Sequence, residues 1–139
     1  MHTLHVVGAY AFVLAFLGSI VLGIVGLLKK DETYLRRGAV GFIVAFMCLC
    51  IPYISGFILQ KPLLLSGDEA LRAAVKKHHD LSKFVLTGSI LMLAACVAML
   101  RKYKDAPLPG WLWPNLLFIS WMVATFVIRS LLHGYRIPI

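Results

Sequence analysis

Residues 4–28 have the sequence LHVVGAYAFVLAFLGSIVLGIVGLL, an apolar run without a single Asp, Glu, Lys or Arg. The run ends at the charged segment 29–32, KKDE. An α-helix needs about 20 such residues to cross the hydrocarbon core of a bilayer. That core offers no water to the backbone N–H and C=O groups, so the run must be helical rather than extended. The sequence therefore predicts a membrane-spanning helix over residues 4–28.

Three further apolar runs follow the first one along the chain. The residues are 60% hydrophobic and 14% charged, whereas about a quarter of the residues in a soluble domain are charged. The net charge of +8 comes mainly from Lys and Arg at the ends of the runs. Such cations are typical of headgroup anchors and do not indicate nucleic-acid binding. We predict an all-α, four-transmembrane-helix bundle that forms a single integral membrane domain over residues 1–139. The predicted spans are about 4–28, 38–59, 81–100 and 111–132.

The connection before the third span has a helix-forming sequence. Its residues Ser66-Gly67-Asp68-Glu69 match a capping box, with Ser66 as the N-cap and Glu69 at the third helical position. No Gly or Pro follows until Gly88. The pattern predicts one helix over 67–100, so that the third helix of the bundle extends above the membrane.

An even number of crossings places both termini and the segment 60–80 on the same side of the membrane. Segment 29–37 carries four cations directly after the first span, and no Lys or Arg precedes that span. Cytoplasmic loops are rich in Lys and Arg, and the first helix usually dominates the orientation. We therefore expect the termini outside, in a bacterial inner membrane.

In this topology all five histidines lie on the side of the termini. They are His2, His5, His78, His79 and His133. Three of them, His5, His79 and His133, come from different helices at comparable depth. Arg129 lies about one turn inside the fourth span, where a cation normally faces the bundle interior. Asp80 is placed either to pair with Arg129 or to accept the second ring proton of His79.

Imidazoles on facing helices are common axial ligands of haem, and a nearby arginine suits its propionates. The pattern predicts His5, His79 and His133 as cofactor ligands, with Arg129 as a charge partner and His78 as a metal ligand. Haem b fits best, while a chlorophyll-type pigment, a transition metal and no cofactor stay open as alternatives. Each histidine also has a plainer explanation as an interfacial polar residue or, for His133, as a helix C-terminal residue favoured by the dipole.

Small residues recur at helical spacing along one side of the first span. Such a stripe favours close helix packing, and it is also compatible with space for a flat cofactor. The stripe contains Gly8, Ala15, Ser19, Gly23 and Gly26, in line with His5 and Phe12.

Four short motifs lie at the ends of the spans. They are His2-x-x-His5, Ser55-Gly56, His78-His79-Asp80 and His133-Gly134-Tyr135. With them the chain resembles an uncharacterised bacterial family of small four-helix membrane proteins. Genes of that family often adjoin or are fused to cytochrome c modules, and haem binding has been suggested for its members. The resemblance implies His5, His79 and His133 as ligands. The chain has Thr3 where such openings commonly have proline, and it contains no CxxCH site.

Two classes of function are compatible with these patterns. The first is a membrane subunit that holds a redox cofactor at its outer face and exchanges electrons with a quinone or a cytochrome. The second is a structural accessory subunit of a larger respiratory or photosynthetic complex that binds only lipid or pigment. Both leave room for a homo-oligomer. The chain contains no hydrolase, nucleotide-binding or zinc-protease motif, so no enzyme class follows from it.

Overall fold

A computed structural model describes residues 1–134, and within this range the chain forms four long α-helices and no β-strand. The helices are α1 (His2–Lys29), α2 (Glu32–Leu64), α3 (Glu69–Lys102) and α4 (Leu112–Gly134). All four are long and apolar enough to cross a membrane. The prediction of an all-α chain with four helices that are long and apolar enough to span a membrane is therefore confirmed.

The helices extend beyond the apolar runs. α2 begins at Glu32 and not near residue 38, because Asp31 supplies an N-cap: its Oδ1 accepts the N–H of Thr33 at 2.8 Å. Charged residues such as Glu, Lys and Arg are good helix formers, so the helical backbone continues where hydrophobicity stops. The apolar runs thus mark the spans, whereas caps mark the helix ends.

The N-cap of α3 is Asp68, and the prediction of a capping box that begins at Ser66 is wrong. Asp68 Oδ1 accepts the N–H of Leu71 at 3.1 Å. The hydroxyl of Ser66 is buried without a hydrogen-bond partner within the described residues. α2 continues to Leu64, and the N–H of Ser66 still bonds the carbonyl oxygen of Leu63. Ser66 therefore belongs to the end of α2, and the first available cap of α3 lies two positions later.

α1 packs closely along α2 through its stripe of small residues. A Cβ added at Gly8 would lie 2.7 Å from Cδ of Pro52, and one added at Gly26 would lie 2.6 Å from Cδ2 of Leu35. Ser19 is also buried in this contact. At these positions the space is already filled by α2, so the stripe serves helix packing.

The indole of Trp113 fills the core at the end of the bundle where α4 begins. Its side chain is 1% exposed and stacks on Phe42, with ring centroids 6.2 Å apart. A Cβ at Gly38 would lie 2.8 Å from Cη2 of Trp113, and the indole also contacts Gly23. One aromatic side chain thereby joins α4 to both α1 and α2.

Glu32 and Arg36 hold the connection between α3 and α4 at this same end. Nη2 of Arg36 donates to the carbonyl oxygens of Tyr103 at 2.8 Å and Ala106 at 2.9 Å. Oε1 of Glu32 accepts the N–H of Leu108 at 3.0 Å, and its Oε2 lies 3.3 Å from Nη2 of Arg36. The start of α2 is thus bonded to the loop that precedes α4.

Replacing Asp68 with Ala should destabilise the start of α3, because the N–H of Leu71 loses its acceptor. The expected cost is about 0.5–2 kcal/mol, measured as the free energy of unfolding in mixed detergent micelles. Ser66→Ala is the matched control and should stay within about 0.5 kcal/mol of the wild type. The opposite order of the two variants would restore Ser66 as the cap.

Replacing Arg36 with Ala should weaken the contact between α2 and the α3–α4 loop. Hydrogen bonds of a charged group contribute about 1.5–3 kcal/mol, and the half-buried position of Arg36 favours the lower end of that range. Arg37→Ala is the control, since Arg37 is exposed. Thermal unfolding in detergent would measure both variants, and an equal loss from both would contradict the assigned role of Arg36.

Candidate functional site

A cavity of about 380 Å³ lies among the helix ends that carry the histidines. Ligand cavities in proteins typically have volumes of about 300–1,000 Å³. All four helices contribute to its wall, which is mainly apolar and aromatic, and its described lining contains no Lys or Arg. Four of the five histidines line it, namely His2, His5, His78 and His79.

The imidazole of His5 is held by the neighbouring helix α2. Its Nδ1 lies 2.8 Å from the carbonyl oxygen of Pro52 and 3.4 Å from Oγ of Ser55. A carbonyl oxygen only accepts hydrogen bonds, so Nδ1 must carry the proton. In the neutral ring, Nε2 then keeps its lone pair and is available to a ligand.

The imidazole of His78 is held by α4 in the same way. Its Nδ1 lies 2.9 Å from the carbonyl oxygen of Ser130 and 3.3 Å from Oγ of the same residue. Ser82 supports this contact, because its Oγ lies 3.2 Å from Oγ of Ser130 and donates to the carbonyl oxygen of His78 at 2.9 Å. The same argument assigns the proton to Nδ1 and the lone pair to Nε2.

The two imidazoles lie side by side on the cavity wall. Their ring centroids are 6.3 Å apart and their planes are inclined by 69°. Histidines that bind metals usually donate the other ring N–H to a carbonyl or carboxylate, which fixes the tautomer and the ring orientation. His5 and His78 both meet this condition. Within residues 1–134, however, no group of three or more His, Cys, Asp or Glu side chains is arranged to hold a metal ion.

His79 lies in an aromatic cluster on the cavity wall. Its ring stacks on Tyr53, with centroids 6.4 Å apart and an angle of 26°, and lies 6.3 Å from the ring of Phe57. The neighbouring Asp80 is exposed and forms an ion pair with Lys83, with Oδ1 and Nζ 3.2 Å apart. Among the hydrogen bonds of the described residues, none joins the carboxylate of Asp80 to the ring of His79.

The two remaining predicted site residues lie on α4. His133 is half-buried in the last turn of the helix. Arg129 is exposed and is not part of the cavity lining. The predicted motif residue Tyr135 and the cation Arg136 lie outside the described residues. The structure thus brings His5 and His78 into contact, with His79 farther along the same wall.

The carbonyl partners of the two imidazoles could not be predicted, because every residue has a carbonyl group and only helix packing selects one. A partial signal for His78 was nevertheless available, because it lies at helical spacing from Val75, Ser82 and Val85, of which both valines are buried. His79 lies four residues from Val75 and three from Ser82, so helical spacing alone does not separate the two neighbours.

Comparison of the chain with protein-family models, with curated proteins and with solved structures finds no significant match. A function for the chain must therefore come from the residues of the cavity and their geometry.

Proposed function

We propose that the protein is an electron-transfer subunit that binds haem b through the imidazoles of His5 and His78. The observation that carries this proposal is the shared mode of holding the two rings. Each Nδ1–H is bonded to a backbone carbonyl oxygen, at 2.8 Å for His5 and 2.9 Å for His78. Both rings therefore present an unprotonated Nε2 at one cavity, which is the form of histidine that ligates iron.

The distance between the rings agrees with two ligands of one metal centre. An imidazole nitrogen lies about 2.0–2.1 Å from a bound metal. Two imidazoles that held one metal centre would have ring centroids about 6 Å apart. The centroids of His5 and His78 are 6.3 Å apart.

The number of ligands favours a macrocycle over a bare metal ion. Protein sites for transition metals commonly use three or four side chains, whereas within residues 1–134 no group of three or more such side chains meets and the imidazoles of His5 and His78 form a pair. A porphyrin supplies four nitrogen ligands itself and needs only two axial ones. The mainly apolar cavity wall is also suited to a large organic group and not to a hydrated ion.

If His5 and His78 held haem, the chemistry that it would supply is one-electron transfer. The residues of the chain hold the two rings through the carbonyl oxygens of Pro52 and Ser130. Arg129 is exposed and outside the lining, so charge pairing with propionates falls to another residue. Lys61 is a candidate, because its Nζ lies 6.0 Å from the ring centroid of Phe57, and that ring lines the cavity.

We place the cavity at the outer face of a bacterial inner membrane, where a quinone or a cytochrome exchanges the electron. The cations that follow α1 support this orientation. α3 has 34 residues, more than the about 20 that a span requires, and its early residues Arg72, Lys76 and Lys77 are exposed. These features support an α3 that extends above the membrane beside the cavity.

Cysteine labelling tests this topology. In a background without the three native cysteines, cysteines at positions 30 and 102 should react from one side of the membrane only. Cysteines at positions 61 and 76 should react only from the opposite side, because α2 separates position 30 from 61, α3 separates position 102 from 76, and an odd number of crossings changes the side. Membrane-impermeant maleimides applied to oriented vesicles provide the measurement. Labelling of positions 30 and 61 from the same side would rule out four spans.

The cofactor proposal is tested by absorption and electron paramagnetic resonance spectra of the purified protein after addition of haem. The wild type should show a reducible Soret band and a low-spin ferric signal, because both axial positions are filled by imidazole. His5→Ala and His78→Ala should each lose the low-spin signal. The ferrous wild type should not bind carbon monoxide, whereas a variant that retains haem with one imidazole should bind it.

His2→Ala and His79→Ala are the controls, since both residues line the cavity without belonging to the ligand pair. Both variants should keep the low-spin spectrum. If His79→Ala loses the signal and His78→Ala keeps it, the ligand is His79, as the sequence resemblance implied. If the wild type with added haem shows only the spectrum of free haem, the accessory-subunit function becomes the better explanation of the fold.

A further inference from the structure

The contact between His5 and α2 involves a glycine as well as a carbonyl group. The imidazole bonds the carbonyl oxygen of Pro52 through Nδ1, at 2.8 Å. A Cβ added at Gly56 would lie 2.9 Å from Cε1 and 3.1 Å from Nδ1 of the His5 ring. Real Cβ atoms almost never approach a neighbour as closely as 2.9 Å. The ring of His5 therefore occupies the space that a side chain at position 56 would need.

The contact between His78 and α4 has the same components. The imidazole bonds the carbonyl oxygen of Ser130 through Nδ1, at 2.9 Å. A Cβ added at Gly134 would lie 3.2 Å from Cε1 and 3.5 Å from Nδ1 of the His78 ring. In both helices the glycine follows the accepting carbonyl by four residues. The two contacts thus repeat one arrangement in the α1–α2 and α3–α4 hairpins.

The four-residue spacing has a geometric reason. In an α-helix, the carbonyl of residue i bonds the N–H of residue i+4, and the side chains of these residues lie one above the other on the same face. A ring from a neighbouring helix that bonds the second lone pair of that carbonyl oxygen can therefore lie beside residue i+4. A glycine at i+4 leaves this approach open, whereas any Cβ there narrows it.

We propose that Gly56 and Gly134 are matched positioning residues that give His5 and His78 access to their carbonyl partners. Each hairpin is then one copy of a unit that presents an imidazole with Nδ1 bound and Nε2 free. What the imidazoles ligate rests on the proposed function, but the positioning itself needs only the chain. Two equivalent units suit a ligand with two equivalent faces, such as a planar macrocycle.

Other glycines of the same hairpins serve as controls. A Cβ at Gly26 would crowd Cδ2 of Leu35, at 2.6 Å, and a Cβ at Gly88 would crowd Cγ2 of Val123, at 2.5 Å. Both contacts are tighter than those of Gly56, at 2.9 Å, and Gly134, at 3.2 Å, and neither involves an imidazole. Substitutions at these positions thus perturb the packing within each hairpin without touching a histidine ring.

The test is nitrogen-15 NMR of the histidine side chains in the full chain, in micelles and without added haem. Gly56→Ala should remove the Nδ1-protonated, exchange-protected signal of His5 and leave that of His78 unchanged. Gly134→Ala should do the reverse. Gly26→Ala and Gly88→Ala should leave both signals unchanged. Glycine variants that keep both signals, or controls that lose them equally, would overturn the proposal.

A second pair of variants covers the case in which a glycine variant does not fold. If the clash with the ring is the cause, removing the ring should restore folding, so His5→Ala combined with Gly56→Ala should recover the thermal unfolding transition. A double variant that remains unfolded would overturn the proposal. This outcome is independent of the haem test. If the chain binds no haem but still shows these ring-specific effects, the proposed function is wrong and the positioning role of the glycines stands.

Discussion

The close approach of α1 to α2 governs how the first imidazole is held. Helix association within a bilayer cannot rely on the hydrophobic effect, because lipid tails are as apolar as the helices, and it relies on packing between small residues instead. Gly8 and Gly26 supply this packing, since a Cβ at either would lie within 2.7 Å of Pro52 or Leu35. Near His5 the close approach is made at Gly8, which packs on Pro52, the residue whose carbonyl oxygen the imidazole of His5 bonds.

The two ends of the bundle differ in how their interiors are filled. At one end Trp113 fills the core at 1% exposure, and Arg36 bonds two carbonyl oxygens of the α3–α4 connection at 2.8 and 2.9 Å. At the other end the four helices leave a cavity of about 380 Å³. The cost of that empty volume in lost packing is tolerable because the opposite end fixes the helices relative to one another.

The hydrogen bonds at the cavity have consequences for its chemistry. A hydrogen bond from Nδ1–H to a carbonyl oxygen makes Nε2 of the imidazole a better electron-pair donor to a metal. That hydrogen bond is stronger in an apolar surrounding than in water. Ser55 and Ser130 place hydroxyl groups 3.4 and 3.3 Å from the two Nδ1 atoms. The rings of His5 and His78 are therefore equivalent in tautomer and in partner type, although they belong to different hairpins.

The four helices could be predicted from the sequence because a bilayer imposes both a length and a composition on each span, and residues 4–28 satisfy both. The helix ends could not be predicted, because the use of Asp68 and not Ser66 as the N-cap of α3 depends on how far α2 continues. The even number of crossings was enough to place the histidines together. Which of His78 and His79 bonds α4 depended on the rotation of α3, since adjacent residues point about 100° apart on a helix. Packing against α4 directs His78 toward the carbonyl oxygen of Ser130 and leaves His79 beside Tyr53, a choice that no local pattern specifies because it depends on contacts between helices distant in sequence.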